Sequence, residues 1–301
     1  MLSVRFSVAF RVCCPALFLL IASMGTAGQA AESLSKGPFF LEGQDPKPAR
    51  QNWVRVEELS DEFEGNQLDD IKWSNSKQEN GFGWLGRPPG LFRAENVVVA
   101  NGMMNVTVGV LPEPRTIGRQ QFLYQGAIVR SKQPCIPGMY LETRMKANAT
   151  EMSSTFWLIS NQRRKQRQEL DIQECVGRTS TLTKEWARGW DQIFHSNLIR
   201  TERGKDKVQI QDSIKPPTKN HERFYVYAAW WKSPEEVLFF LDGKYAYTLK
   251  PETAWDFPAH IHMAIETYDW NPVPVDGGLI AKGTKEERTT QYDWVRVWRL
   301  E

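Results

Sequence analysis

The sequence predicts an all-β protein of two stacked antiparallel sheets, and three observations carry that expectation. Short runs rich in Val, Ile, Tyr, Phe and Trp recur along the 301 residues, Gly, Pro, Asn and Asp separate them, and stretches of helical period are few. In chain order, strands are expected over 96–100, 103–110, 127–131, 138–146, 154–160, 170–175, 193–199, 224–231, 236–241, 244–249, 260–266 and 292–299. Asp242-Gly243, between Val237-Leu238-Phe239-Phe240-Leu241 and Lys244-Tyr245-Ala246-Tyr247, is a two-residue turn whose positive φ angles suit Asp-Gly. Asn101-Gly102 makes a second such turn. The segment 183–192, with Trp186 and Trp190 four apart, reads as a short helix or as a long loop over a groove. No internal repeat interrupts the series.

The first 30 residues stand apart from this pattern. Arg5 and Arg11 precede the apolar run Pro15-Ala16-Leu17-Phe18-Leu19-Leu20-Ile21-Ala22, and small residues follow. That is a signal peptide over 1–30, cut after Ala30, with a run too short to span a membrane. A secreted protein, extracellular or periplasmic, is therefore expected, with no membrane partner. Residues 31–50, with Lys36-Gly37-Pro38 and Asp45-Pro46-Lys47-Pro48, read as an irregular surface leader that need not be ordered. No Gly/Ser- or Pro-rich linker divides 51–301, so one domain is expected there.

Composition narrows the partners. The formal charge is +2 and the basic residues are spread along the chain, so nothing asks for nucleic acid, and the partner is uncharged or only partly charged. Only Cys135 and Cys175 remain after cleavage, which excludes a disulfide-stapled scaffold and leaves open one bridge or two buried thiols. Twelve tryptophans, many beside polar residues, offer faces on which sugar rings stack, although any single one can equally fill the core.

The most informative segment is Glu169-Leu170-Asp171-Ile172-Gln173-Glu174-Cys175. On a strand, Glu169 and Asp171 share a face while Glu174, five residues from Glu169, points the other way. One extra residue, a β-bulge, would turn Glu174 onto the same side and line one groove with three acids. Like charges so close push their pKa values apart, so one carboxyl stays protonated while its neighbour stays ionised. That pairing suits hydrolysis of a glycosidic bond, with a structural acidic strand as the alternative. The basic run Arg163-Arg164-Lys165-Gln166-Arg167 just before it is either a solvated hairpin tip or a contact for an anionic group such as sulfate on a sugar chain.

The Glu-x-Asp-x-x-Glu spacing, preceded by Thr155-Phe156-Trp157-Leu158-Ile159-Ser160, resembles the catalytic region of glycoside hydrolase family 16. Further pieces match in order: Leu59-Ser60-Asp61-Glu62-Phe63-Glu64-Gly65 with Lys72-Trp73, then Trp230-Trp231-Lys232 with Phe239-Phe240-Leu241-Asp242-Gly243, then Tyr292-Asp293-Trp294-Val295-Arg296-Val297. Together they cover about residues 52 to 300. The resemblance implies a concanavalin-like jelly-roll sandwich with an open substrate cleft. The odd spacing is similar to agarases, porphyranases, κ-carrageenases and laminarinases. Phe194-His195-Ser196-Asn197 and Glu266-Thr267-Tyr268-Asp269-Trp270-Asn271 look like the β-agarase group, whereas Ser153-Ser154-Thr155 replaces the Trp-Pro-Ala of laminarinases.

That resemblance implies Glu169 as nucleophile, Glu174 as general acid and then base, and Asp171 as the auxiliary acid between them. It places Trp73, Trp84, Arg93, Trp157, His195, Glu266 and Trp270 along the substrate. It also implies a structural calcium ion, away from the chemistry, on Asp61, on Asn101 or Gly102, and on Asp293; no organic cofactor is expected. The reading is an endo-acting, retaining β-agarase, working as a monomer on agarose or a related red-algal galactan. A porphyranase or κ-carrageenase that binds sulfate through Arg163, Arg164 or Arg167 is the enzyme alternative. A lectin-like galactan-binding module is the alternative from another class.

Overall fold

The computed structural model describes residues 36–76, 83–161 and 165–301; the expected signal peptide, Arg163 and Arg164 lie outside them. Its strands are β1 (Trp53–Arg55), β2 (Trp73–Ser74), β3 (Gly90–Phe92), β4 (Val97–Ala100), β5 (Met103–Thr107), β6 (Gly109–Ile117), β7 (Gln120–Ser131), β8 (Tyr140–Lys146) and β9 (Ser153–Ser160). They continue with β10 (Gln166–Val176), β11 (Phe194–Glu202), β12 (Val208–Ile214), β13 (Tyr225–Ser233), β14 (Glu236–Leu241), β15 (Lys244–Leu249), β16 (Ala259–Ile265) and β17 (Thr289–Leu300). One short helix, α1 (Gly278–Lys282), precedes the last strand.

Two sheets form a jelly-roll sandwich. The order β15-β14-β13-β8-β17-β5-β4, with β1 added on β17, makes the first. The order β12-β11-β10-β9-β16-β7-β2, with β3 and β6 added on β7, makes the second. Alternation along each strand decides what lies between them. In β16, Ile261, Met263 and Ile265 enter the common core, as do Phe156 and Leu158 of β9 and Leu170 and Ile172 of β10. From the first sheet come Leu141, Met145, Tyr225, Tyr227, Trp231, Val237, Phe239, Val295 and Val297. Each such side chain removed from water contributes roughly 1.5–3 kcal/mol, so the period-2 pattern fixes which face each strand turns inward.

The outer face of the first sheet is also covered. Tyr140, Ala228, Trp230, Phe240 and Trp298 form a second apolar cluster with Trp53. Residues 36–50 carry no strand or helix, yet they are pinned onto this cluster. Phe40 sits 5.0 Å from the Tyr140 ring and 5.3 Å from the Phe240 ring. The Phe39 amide donates to Glu142 Oε2 at 2.9 Å, Leu41 to the Gly243 carbonyl at 3.1 Å, and the Trp53 indole to Asp45 at 3.0 Å. The leader is thus irregular, as its Pro content predicts, and is tied down by an aromatic socket.

Both predicted two-residue turns are present. Asn101 and Gly102 have φ of 57° and 69°, and Asp242 and Gly243 of 49° and 72°, the left-handed pair that such a hairpin needs. Five strands escaped the pattern, among them the two- and three-residue β2 and β3. In β6, Pro112 and Pro114 disguise a strand that meets β7 across a register shift between Val110 and Arg115. β12 is an edge strand, largely exposed, so its polar and apolar residues show no one-sided burial. β1 is only three residues long. The segment 183–192 is a loop that contains one 3-10 turn, Glu185–Ala187.

Candidate active site

The outer face of the second sheet carries the acids. Between β9 and β10 the register runs Asp171 opposite Trp157 and then Gln173 opposite Phe156, so Ile172 is the extra residue of a bulge. Glu174 thereby reaches the face of Glu169 and Asp171, and all three line one cleft of about 440 Å3. The cleft is also lined by Trp84, Arg87, Thr155, Trp157, Arg167, Glu266 and Tyr268.

Gln173 closes the gap that the bulge opens. Pairing of β10 with β11 stops at Asp171 opposite Asn197. Beyond it the fully buried Gln173 amide stands in for backbone: its Nε2 donates to the Ile193 carbonyl at 3.0 Å and its Oε1 accepts the His195 amide at 3.2 Å. The Ser196 hydroxyl donates to the Ile172 carbonyl at 2.8 Å. The polar residue beside the acids is therefore part of the bulge.

Burial and mutual charge set the protonation of the cluster. Burial, then the charges of Glu174 and Glu266, push Glu169 up to about 7. Burial, then Glu169 and Glu174, push Asp171 well above its ordinary value, and it is hydrogen-bonded to Glu169. Burial also acts upward on Glu174, but the hydrogen bond and charge of His195 and the hydrogen bond of Tyr268 outweigh it and hold Glu174 low. The Tyr268 hydroxyl donates to Glu174 Oε1 at 2.6 Å, and His195 Nδ1 lies 3.5 Å from Oε2. Burial and mutual charge thus favour the protonated forms of Glu169 and Asp171, while His195 and Tyr268 favour the charged form of Glu174. The titration belongs to the cluster as a whole.

A fourth acid of the cleft, Glu266, accepts a hydrogen bond from Arg87 Nε at 2.8 Å, and burial raises it to about 7. The Arg87 guanidinium also lies 5.2 Å from the centre of the Tyr268 ring. Arg167 precedes Glu169 by two on the same strand, so it shares that face and lines the cleft. Trp157 stacks on His262 at 4.7 Å, and Trp84 packs edge-on against Trp157 and Phe92.

Of the residues expected along the substrate, Trp84, Trp157 and Glu266 line the cleft. His195 and Trp270 flank it, both against Trp190. Two do not come to it. Trp73 is 1% exposed, packs on Phe63 in the core and donates its indole N–H to Asp61 Oδ2 at 2.8 Å. Arg93 turns to the surface and pairs with Glu95. Reasoning from sequence missed Arg87, whose loop Leu85-Gly86-Arg87-Pro88-Pro89 has no periodicity. It also missed Tyr268, which the two-residue spacing from Glu266 and Trp270 could have flagged.

Two of the residues expected to hold calcium have protein partners. Both Asp61 oxygens accept protein N–H groups, from Phe63 at 2.8 Å and from Trp73. Asp293 is paired with the Arg144 guanidinium. Among the described residues, no three His, Cys, Asp or Glu side chains converge as a metal site. Cys135 and Cys175 are separate buried thiols, and burial pushes the Cys175 thiol up to about 12.

Comparison with known proteins places this geometry. The family model described as β-porphyranase A–D, GH16 domain, matches residues 53–300. The chain is 42% identical over 295 residues to β-porphyranase B of Zobellia galactanivorans, covering 94% of each. The crystal structure of porphyranase B from that organism superposes with a TM-score of 0.81, over 88% of this chain and 99% of that one. β-Agarase A of Z. galactanivorans shares the fold, at 19% identity and a TM-score of 0.69 over 85% of this chain and 95% of that one.

Proposed function

We propose that this chain, which belongs to glycoside hydrolase family 16 and within it to the β-porphyranase A–D group, cleaves internal β-1,4 linkages of a sulfated red-algal galactan with retention of configuration. The observation that carries the choice of substrate is the presence of two arginines, Arg87 and Arg167, in the same cleft as Glu169, Asp171 and Glu174. A guanidinium offers planar, paired donors that match a sulfate ester, which a neutral galactan lacks. Agarose, the first expectation from sequence, gives way to the sulfated alternative, with Arg167 taken from the run that the alternative named. The relatives support the same shift, since the 42%-identical one is named a porphyranase.

In the reaction, Glu169 attacks the anomeric carbon while Glu174 protonates the leaving oxygen. A glycosyl-enzyme ester forms, and water activated by Glu174 then releases the sugar and regenerates Glu169. The productive microstate has Glu169 ionised and Glu174 protonated. Asp171, protonated and hydrogen-bonded to Glu169, stabilises that carboxylate. Export from the cell through residues 1–30 belongs to the same proposal.

Arg167→Ala tests the choice of substrate. Its kcat/KM on native sulfated porphyran should fall at least tenfold, while the chemically desulfated polymer should lose much less, because a charge-assisted pair is worth about 1.5–3 kcal/mol. Equal losses on the two polymers would refute sulfate recognition by Arg167.

A further inference from the structure

An aromatic series leads away from the acids, and its tryptophans take no part in the chemistry. Tyr268, which holds Glu174, stacks on Trp270 with ring centres 4.6 Å apart and planes 18° from parallel. Trp270 meets Trp186 at 5.3 Å, and Trp190 lies 4.8 Å from Trp270 and 5.7 Å from Trp186. The last member, Trp186, is 61% exposed. An isolated exposed apolar side chain needs no explanation, but three tryptophans in contact, rising from a buried catalytic group to solvent, form a patch of the kind that marks binding.

The loop that presents Trp186 is fixed. The Lys184 amide donates to the Trp270 carbonyl at 2.9 Å, and the Thr183 hydroxyl donates to Asn271 Oδ1 at 2.5 Å. The Asn271 amide in turn donates to the Glu151 and Arg178 carbonyls at 2.8 and 3.0 Å. With Trp190 edge-on at 81° and Trp270 beneath, the Trp186 ring has no core position to fold into. Trp186 itself does not line the cleft that contains the acids, whereas Tyr268 does.

We infer that Trp186 is a remote sugar-stacking platform, which binds a pyranose ring of the same galactan chain outside the cleft, beyond the units in contact with Glu169 and Glu174. This rests on the proposed galactan hydrolase reading. The occupant follows from continuity: a polymer lying in the cleft meets Tyr268, then Trp270, then Trp186, and the C–H face of a sugar packs on an indole as an aromatic ring does. The platform makes the enzyme favour long chains over short ones, because a short oligosaccharide fills the cleft without reaching Trp186.

The experiment compares kcat/KM on polymeric porphyran with kcat/KM on the shortest porphyran oligosaccharide that is cleaved, for the wild type, Trp186→Ala and Trp186→Phe. The polymer-to-oligosaccharide ratio should fall about tenfold in Trp186→Ala, and Trp186→Phe should keep most of it, as expected for a stacking contact. Thermal unfolding of both variants checks that they remain folded. A ratio unchanged within twofold in a folded Trp186→Ala, on a substrate that the wild type cleaves, overturns the platform alone. A wild type that degrades no red-algal galactan overturns the proposed function and this inference with it.

Discussion

His195 Nδ1 lies 3.5 Å from Glu174 Oε2, on the carboxylate oxygen that Tyr268 leaves untouched. The other ring nitrogen of His195 is 3.2 Å from Gln211 Oε1 on the edge strand β12, and the ring packs 4.5 Å from Trp190. Glu174, the proposed proton donor, is therefore held between two partners that favour its charged form.

This arrangement gives a signed pH prediction. Loss of the Tyr268 hydroxyl removes one of the interactions that lower Glu174, so in Tyr268→Phe the carboxyl keeps its proton to higher pH. The alkaline limb of the kcat/KM profile, set by the free enzyme's acid, should move upward. A limb that stays in place or moves downward would contradict the assignment of Glu174 as the acid.

The bulge makes a stability prediction. Gln173→Leu conserves approximate size but orphans the His195 amide, at about 1–3 kcal/mol for a buried group, and takes one of two donors from the Ile193 carbonyl, which keeps Asn220 Nδ2 at 2.8 Å. Urea unfolding should show a loss of about 1–3 kcal/mol, with activity lost further as Glu174 is misplaced. A change below about 0.5 kcal/mol would mean that the amide does not hold the bulge.

A buried acid on the far sheet predicts how stability varies with pH. Glu142 accepts from the Phe39 amide and, at 2.8 Å, from the Trp298 indole, and burial raises it to about 7 from an ordinary 4.5. The folded state therefore holds this proton longer than the unfolded state does. The stabilisation is complete below about 4.5 and is lost as the pH rises through about 7, a difference of about 3 kcal/mol. Glu142→Gln, which cannot ionise, should show a smaller fall in Tm between pH 5 and 8 than the wild type. An identical fall would place the effect on Glu169 and Glu266, which are raised in the same way.

Because Asp61 and Asp293 are engaged by Trp73, Phe63 and Arg144, chelation should leave the protein as stable as before. Calorimetry with and without EDTA checks this; a drop of several degrees in Tm would show a cation that these pairings do not reveal.

The sandwich was legible because alternation and turn chemistry act locally: Leu170 and Ile172 turn inward, and Asp242-Gly243 reverses the chain whatever lies around them. The bulge was legible for a similar reason, since only an extra residue brings Glu174 beside Glu169. What lines the rest of the cleft depends on where loops return. Trp73 and Trp84 look alike as residues beside polar neighbours, yet Asp61 draws one indole into the core while the other packs on Trp157. Arg87 reaches the acids only through a loop whose path no periodicity encodes. Hence the acid cluster could be read from β10, and the rest of the cleft could not.

The most direct test of the account is product analysis of the wild-type protein on porphyran and agarose side by side, with the anomeric form of the first product followed by NMR. The account predicts sulfated oligosaccharides from porphyran, released with retained β configuration and much faster than any product from agarose. Neutral oligosaccharides from agarose with none from porphyran, or an inverted first product, would contradict it.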